Sequence, residues 1–237
     1  MKLYSFVALF KSYFGWILIG HSIKNNIEMR TIFISFFFLL VTLKSFGQVG
    51  SVLSNETEID SIYLRIAELK KLPRFTFRDI PIDGLLNEFV AKLKNQGFAV
   101  KKITDETAFL SGKFAGEDVQ IKIESSNKIV YSVEVTYKNK TSWKSILTQY
   151  NEVRSMLNSK YGEPIATFKE FDSPYDQILS SELNALREGK CHFKNTILTK
   201  EGNGMVFLEI SPDVSLVLKY VDLFNSIYPA FEKYLDY

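Results

Sequence analysis

The sequence predicts an α+β fold: an antiparallel sheet built from two tandem helix-plus-meander units, with the helices packed on one sheet face. Three observations predict it. Residues 80–137 hold one helical pattern and then alternating segments, with Val119, Ile121 and Ile123 on one side and Gln120, Lys122 and Glu124 on the other. Such one-sided alternation marks a sheet with one buried and one wet face. Residues 141–237 pass through the same elements more loosely. Strands also come in runs separated by single helices, an order that excludes alternating βαβ units.

The first unit spans residues 74–140. The alternation of RFTFRD, with Phe75 and Phe77 on one side, predicts a strand over 74–79. Asp83 is placed to cap a helix whose apolar stripe is Leu86, Phe89, Val90 and Leu93. Gly97 suits a left-handed stop, with Phe98 folding back on Leu93. A meander follows, with turns at Ala115–Glu117 and Ser125–Asn127, and its last strand alternates from Ile129 to Tyr137.

The second unit spans residues 141–237. Thr141 or Ser142 caps a helix lined by Trp143, Ile146, Leu147, Tyr150, Arg154 and Leu157, and Gly162-Glu163-Pro164 ends it. A strand over 165–171 leads to Ser173-Pro174, a cap followed by a first-turn proline, which predicts a helix through Ile178, Leu179, Leu183 and Leu186. Three strands follow, over 190–200, 205–210 and 214–221. Asp222 then caps a last helix that Pro229 is expected to kink or split.

Ahead of both units lie a helical pattern and two apolar stretches. Residues 48–73 form an N-terminal segment whose helix, 56–72, carries the stripe Ile59, Ile62, Ile66 and Leu69 and stops at Pro73. Met29-Arg30, the uncharged run from Ile32 to Val41, and the small residues Ser45 and Gly47 make 29–47 a secretory signal peptide. Cleavage is expected between Gly47 and Gln48. The run is short against the ~20 residues of a membrane span, and an uncleaved N-terminal anchor is the alternative. Residues 1–28 fit an upstream extension of the reading frame, with a first transmembrane helix as the competing reading.

Composition narrows the function classes. Five of the 29 Lys and Arg and one of the 27 Asp and Glu precede Gln48, so the remainder is close to neutral. Nothing electrostatic points to nucleic acid. The single cysteine, Cys191, excludes an intrachain disulfide and, lying far from the leader, an acylated lipoprotein. Its neighbour His192 invites a nucleophile–base reading, but adjacent strand residues point to opposite faces. One Cys and one His after the leader make no zinc centre, and neither a phosphate loop nor a nucleophile elbow is present. No cofactor is expected. Scattered carboxylates (Glu117, Asp118, Glu134, Glu170, Asp172, Glu209) leave open a pair converging for hydrolysis. Asn55 and Asn139 open sequons, and Asp60-Ser61-Ile62 is similar to the O-glycosylation acceptor of exported Bacteroidetes proteins, making Ser61 a candidate modification site.

The motifs IPIDG, KLKNQGF and GKFAGEDV, followed by YNEVRSMLNSKYGEP and LREGKCHFKNTI, carry a further signal. Over roughly Phe75 to Asn225 they resemble a family of exported proteins common in gut Bacteroidetes. That family brings a signal peptide but no established activity and no catalytic residues. At fold level the repeat is similar to the modules of beta-lactamase inhibitory protein and of the outer-membrane assembly lipoprotein BamE. The reading that follows is a periplasmic or secreted, non-catalytic binding module of the bacterial envelope. Its partner would be an envelope protein, peptide or glycan, with no stable membrane span after processing. The alternatives are an envelope hydrolase of glycan or peptide, and an inhibitor of a periplasmic or host enzyme.

Overall fold

The computed structural model describes residues 64, 66–176 and 181–235. The leader expected at 29–47, its expected cleavage site at Gly47–Gln48, the Asn55 sequon and Ser61 lie outside them. The chain divides into two compact units, 1–68 and 69–237. Of the first, Leu64 and 66–68 are described, all helical. In the second, helical residues run to Lys71, and Pro73 follows.

A small hairpin, β1 (Thr76–Phe77) and β2 (Ile80–Pro81), opens the second unit. Helix α1 (Leu86–Asn95) leads into four strands: β3 (Ala99–Ile103), β4 (Thr107–Phe114), β5 (Glu117–Ser126) and β6 (Ile129–Tyr137). Helix α2 (Trp143–Tyr161), strand β7 (Ala166–Phe171) and the short α3 (Glu182–Arg187) come next. Strands β8 (Cys191–Leu198), β9 (Gly204–Ile210) and β10 (Leu216–Asp222) precede the last helix, α4 (Leu223–Leu235). The large sheet has the order β3-β4-β5-β6-β10-β9-β8-β7 and is antiparallel at every joint. Each predicted unit thus supplies one four-stranded meander, and the two meet through their last strands, β6 and β10.

Register shows that α1 and α2 cover the same face. One row across the sheet reads Leu110, Ile121, Val135, Leu218, Leu208, Asn195, Thr167. The buried Leu86, Phe89, Val90 and Leu93 of α1 pack over β3–β6. Ile146, Tyr150, Val153 and Leu157 of α2 pack over β8–β10. Asn195 is tolerated in this apolar layer because both ends of its amide are used. It donates to the Tyr150 hydroxyl at 2.6 Å and accepts from Thr167 Oγ1 at 2.8 Å. Burial pushes the Tyr150 phenol up to about 12.

The stop of α1 is as predicted. Gly97, at φ 92°, donates to Lys94 O at 3.0 Å, and Phe98 donates to Leu93 O at 3.2 Å, the two bonds of a Schellman motif. The Phe98 ring tucks under Gly112, where a Cβ would lie 2.5 Å from Phe98 Cδ1. Asp222 caps α4 through the Asn225 N–H at 2.9 Å, and α4 continues through Pro229 as one helix.

Three expectations need correction. Asp83 does not cap α1; the cap position is Leu85, without a side-chain bond. Leu85 is bridged to Ile129 and Leu86 N–H donates to Lys128 O at 3.3 Å, so the β5–β6 turn satisfies the helix start instead. Asp83 accepts from Asn225 Nδ2 at 2.9 Å. The strand expected over 74–79 folds back on itself at Arg78 and Asp79, at φ 50° and 64°. That reversal lets Phe75, Phe77, Ile80 and Ile82 all bury, with Phe77 wedged between Tyr220 (5.2 Å) and Phe114 (5.5 Å). Ser173-Pro174 does not begin a helix. Residues 173–176 form a turn in which Tyr175 N–H donates to Asp172 O at 2.9 Å, and α3 starts at Glu182.

Candidate functional site: the second face of the sheet

The face away from α1 and α2 is built by the same register. Its central row reads Phe109, Lys122, Glu134, Lys219, Phe207, Thr196, Ala166 from β4 to β7. One neighbouring row holds Glu124, Ser132, Val221 and Met205; the other holds Gln120, Thr136, Val217, Glu209, Lys194 and Phe168. This face is not uniformly wet. Ser132, Lys219, Val221, Met205 and Thr196 are buried.

Charges alternate through its centre. Glu124 lies between Lys122 (2.6 Å) and Lys219 (2.7 Å) and accepts from Ser132 Oγ at 2.9 Å. Lys194 pairs with Glu209 at 3.1 Å. Burial draws the Lys219 ammonium down to about 8 even with Glu124 beside it. Burial also works against the charge of Lys122, but its hydrogen bond to Glu124 and the charges of Glu124 and Glu134 override that and raise it. Glu134 is raised above the ordinary carboxylate range: burial is the main cause, opposed by Lys122 and reinforced by Glu124 and Glu209.

Of the carboxylates singled out in the sequence, this face brings Glu134 and Glu209 near each other. Glu117 and Asp118 begin β5 at the far end of its hairpin, and Glu117 pairs with Lys140 at 3.4 Å. Glu170 stands opposite His192 on the edge pair β7–β8, and Asp172 Oδ2 lies 3.2 Å from His192 Nε2. Sequence reading missed Lys219. Its signal was present: a lone cation at an outward position in the apolar run LVLKYV.

A buried lysine has a pH signature. Below pH 8 the ammonium is charged in folded and unfolded chains alike, and its burial cost is constant. Between pH 8 and its ordinary 10.5 the folded chain releases the proton first, so stability rises with pH. Glu124 keeps Lys122 as a partner in Lys219→Met, and the stability of the native chain relative to that variant is expected to rise by about 3 kcal/mol between pH 7 and pH 10. Urea unfolding of both proteins at the two pH values checks this. Parallel pH dependences would show that Lys219 titrates normally.

Cys191 and His192 do not meet. Cys191 joins the helix-covered face and is buried, which pushes its thiol up to about 12, while His192 points to the other face and Asp172. The native protein is expected to be inert to a thiol reagent at pH 8 and to titrate one thiol in denaturant. Rapid labelling without denaturant would contradict the burial.

Among the described residues, no group of three His, Cys, Asp or Glu side chains could hold a metal ion. No helix among them is long and apolar enough to cross a membrane. Comparison of the chain with protein-family models, with curated proteins and with solved structures gives no match.

Proposed function

We propose that this chain is an exported, non-catalytic binding module of the bacterial envelope, acting through the second face of its sheet on a peptide or glycan. The supporting observation is the central row, where Phe109, 39% exposed, stands beside the paired Lys122 and Glu134. An aromatic surface next to fixed donors and acceptors suits a ligand with both apolar and polar edges. Glu124 and Glu209 are held by lysines, an arrangement that orients a ligand rather than moving protons. The leader at 29–47 and the resemblance to exported Bacteroidetes proteins support the location.

The test is a photo-crosslinking residue at position 109, with Lys144 on the solvent side of α2 as control, in cells of the native host. An adduct from position 109 alone, with a defined envelope component, supports the reading. Equal adducts from both positions, or a native chain whose N-terminus is not Gln48 by mass spectrometry, count against it. Hydrolysis is the second reading, favoured by the raised Glu134 carboxyl with Glu124 and Glu209 near it. It requires turnover of a glycan or peptide that Glu134→Gln abolishes.

A further inference from the structure

The outer edge of β3 carries a second surface, independent of what the second face binds. Strand β3 ends the sheet, and all five of its residues are exposed. Two of the six large exposed hydrophobic side chains among the described residues belong to this strand, Val100 (38%) and Ile103 (44%), paired with Leu110 and Ala108 on the helix-covered side of the sheet. Between Val100 and Ile103 lie Lys101 and Lys102.

The cationic character continues along the edge. Beyond Ser111, β4 runs on without β3, since the last β3–β4 pair is Ala99 with Ser111 while β4 pairs with β5 as far as Phe114. The vacated space is a groove of about 660 Å³ lined by Arg78, Gln96, Gly112, Lys113 and Asp118, among others. Arg78 is held there by its Nε bond to Gln96 Oε1 at 2.9 Å and a long contact to Lys113 O at 3.4 Å. Asp118, 4.0 Å from Lys113, is the one acid in this groove, and Asp105 and Glu106 lie at the opposite end of β3.

A bulge at Lys101 and two lysines on an edge strand guard against self-pairing, because a second copy would bring like charges together. The same charges do not repel an acidic strand, and the exposed Val100 and Ile103 offer it apolar contacts. We propose that the β3 edge is a strand-addition site for an extended acidic segment of a partner protein. Backbone hydrogen bonds supply affinity, while Lys101, Lys102, Lys113 and Arg78 select for charge.

The probes are two capped heptapeptides, acetyl-TEVDIET-amide and its lysine counterpart acetyl-TKVKIKT-amide, added to the isotope-labelled full chain. The acidic peptide is expected to slow exchange of outward-facing β3 amides by about tenfold, and the basic one to leave them unchanged. The K101E/K102E variant, altered only at exposed positions, should reverse that preference. Equal effects of both peptides, shifts confined to the second face around Glu134, or concentration-dependent dimers paired through β3 would each overturn the proposal. Perturbation at the second face alone would leave the binding reading of that face standing, so the two ideas fail separately.

Discussion

Asp222→Ala is expected to cost about 3–5 kcal/mol of stability. Asp222 is fully buried at the end of β10 and ties three parts of the chain together. Its Oδ2 accepts from Phe75 N–H at 2.7 Å, its Oδ1 accepts from Asn225 N–H at 2.9 Å, and Arg74 Nη1 lies 3.6 Å away. Alanine strands the Phe75 donor in the interior and uncaps α4. It also frees Arg74, whose guanidinium now lies 4.2 Å from the centre of the Phe224 ring. Asp222→Asn keeps acceptor capacity on one side only and should lose roughly half as much. The carboxyl is raised chiefly by burial, against the Asn225 and Phe75 donors and Arg74. A raised acid favours the fold most below its ordinary 3.8 and less once pH climbs past the raised value. Asp222 is therefore not a trigger of acid unfolding. Denaturant melts of both variants at pH 4 and 7 test magnitude and sign. An alanine variant as stable as the native chain would remove Asp222 from the account of how the N-terminal hairpin is held.

Gly204→Ala is the second large effect, about 3 kcal/mol. A Cβ at Gly204 would lie 2.3 Å from Phe75 Cγ, 2.4 Å from its Cδ1 and 2.8 Å from its Cβ. The clash reaches the root of the side chain, so ring rotation cannot relieve it. The Phe75 backbone is tied to Asp222, and its ring packs against Tyr161 (5.7 Å) and Tyr220 (6.0 Å). Combining Gly204→Ala with Phe75→Ala should cost less than the sum of the single changes, the signature of two groups competing for one space. Strict additivity in that cycle would refute the contact. Gly116→Ala is a useful contrast. Its φ is 84° with nothing near the absent Cβ, so only backbone strain of about 1 kcal/mol is expected.

These two sites also show where sequence was readable. Local rules worked where the chain satisfies itself. The Gly97–Phe98 stop closes on carbonyls three and five residues back, and the Asp222 cap closes on Asn225, so neighbouring letters suffice. Alternation placed Val119, Ile121, Val133 and Val135 on one face because a pleated strand allows nothing else. Local rules failed where a distant partner took over. Asp83 had the chemistry of a cap, but Asn225 claims it, and the start of α1 is satisfied by the β5–β6 turn. The reversal at Arg78-Asp79 lacks the usual glycine or asparagine and is driven by four apolar side chains seeking one core. The charge cluster of the second face was half legible. Glu134 and Lys122 could be assigned a side, whereas the meeting of Glu124 with Lys219 depends on β10 pairing with β6, which no local pattern announces.

The seam between the two meanders also governs how the chain must be made. Strand β6, IVYSVEVTY, has no lysine, proline or glycine, and one of its edges waits for β10. Synthesis from the N-terminus completes β3–β6 long before β10 appears, with α2, β7, α3, β8 and β9 still to come. Through that interval the half-built sheet exposes an open edge whose one charge is Glu134, while its opposite edge is already protected by Lys101 and Lys102. The hazard of misassembly therefore lies at what becomes the centre of the finished molecule, and a holding chaperone would find its target there.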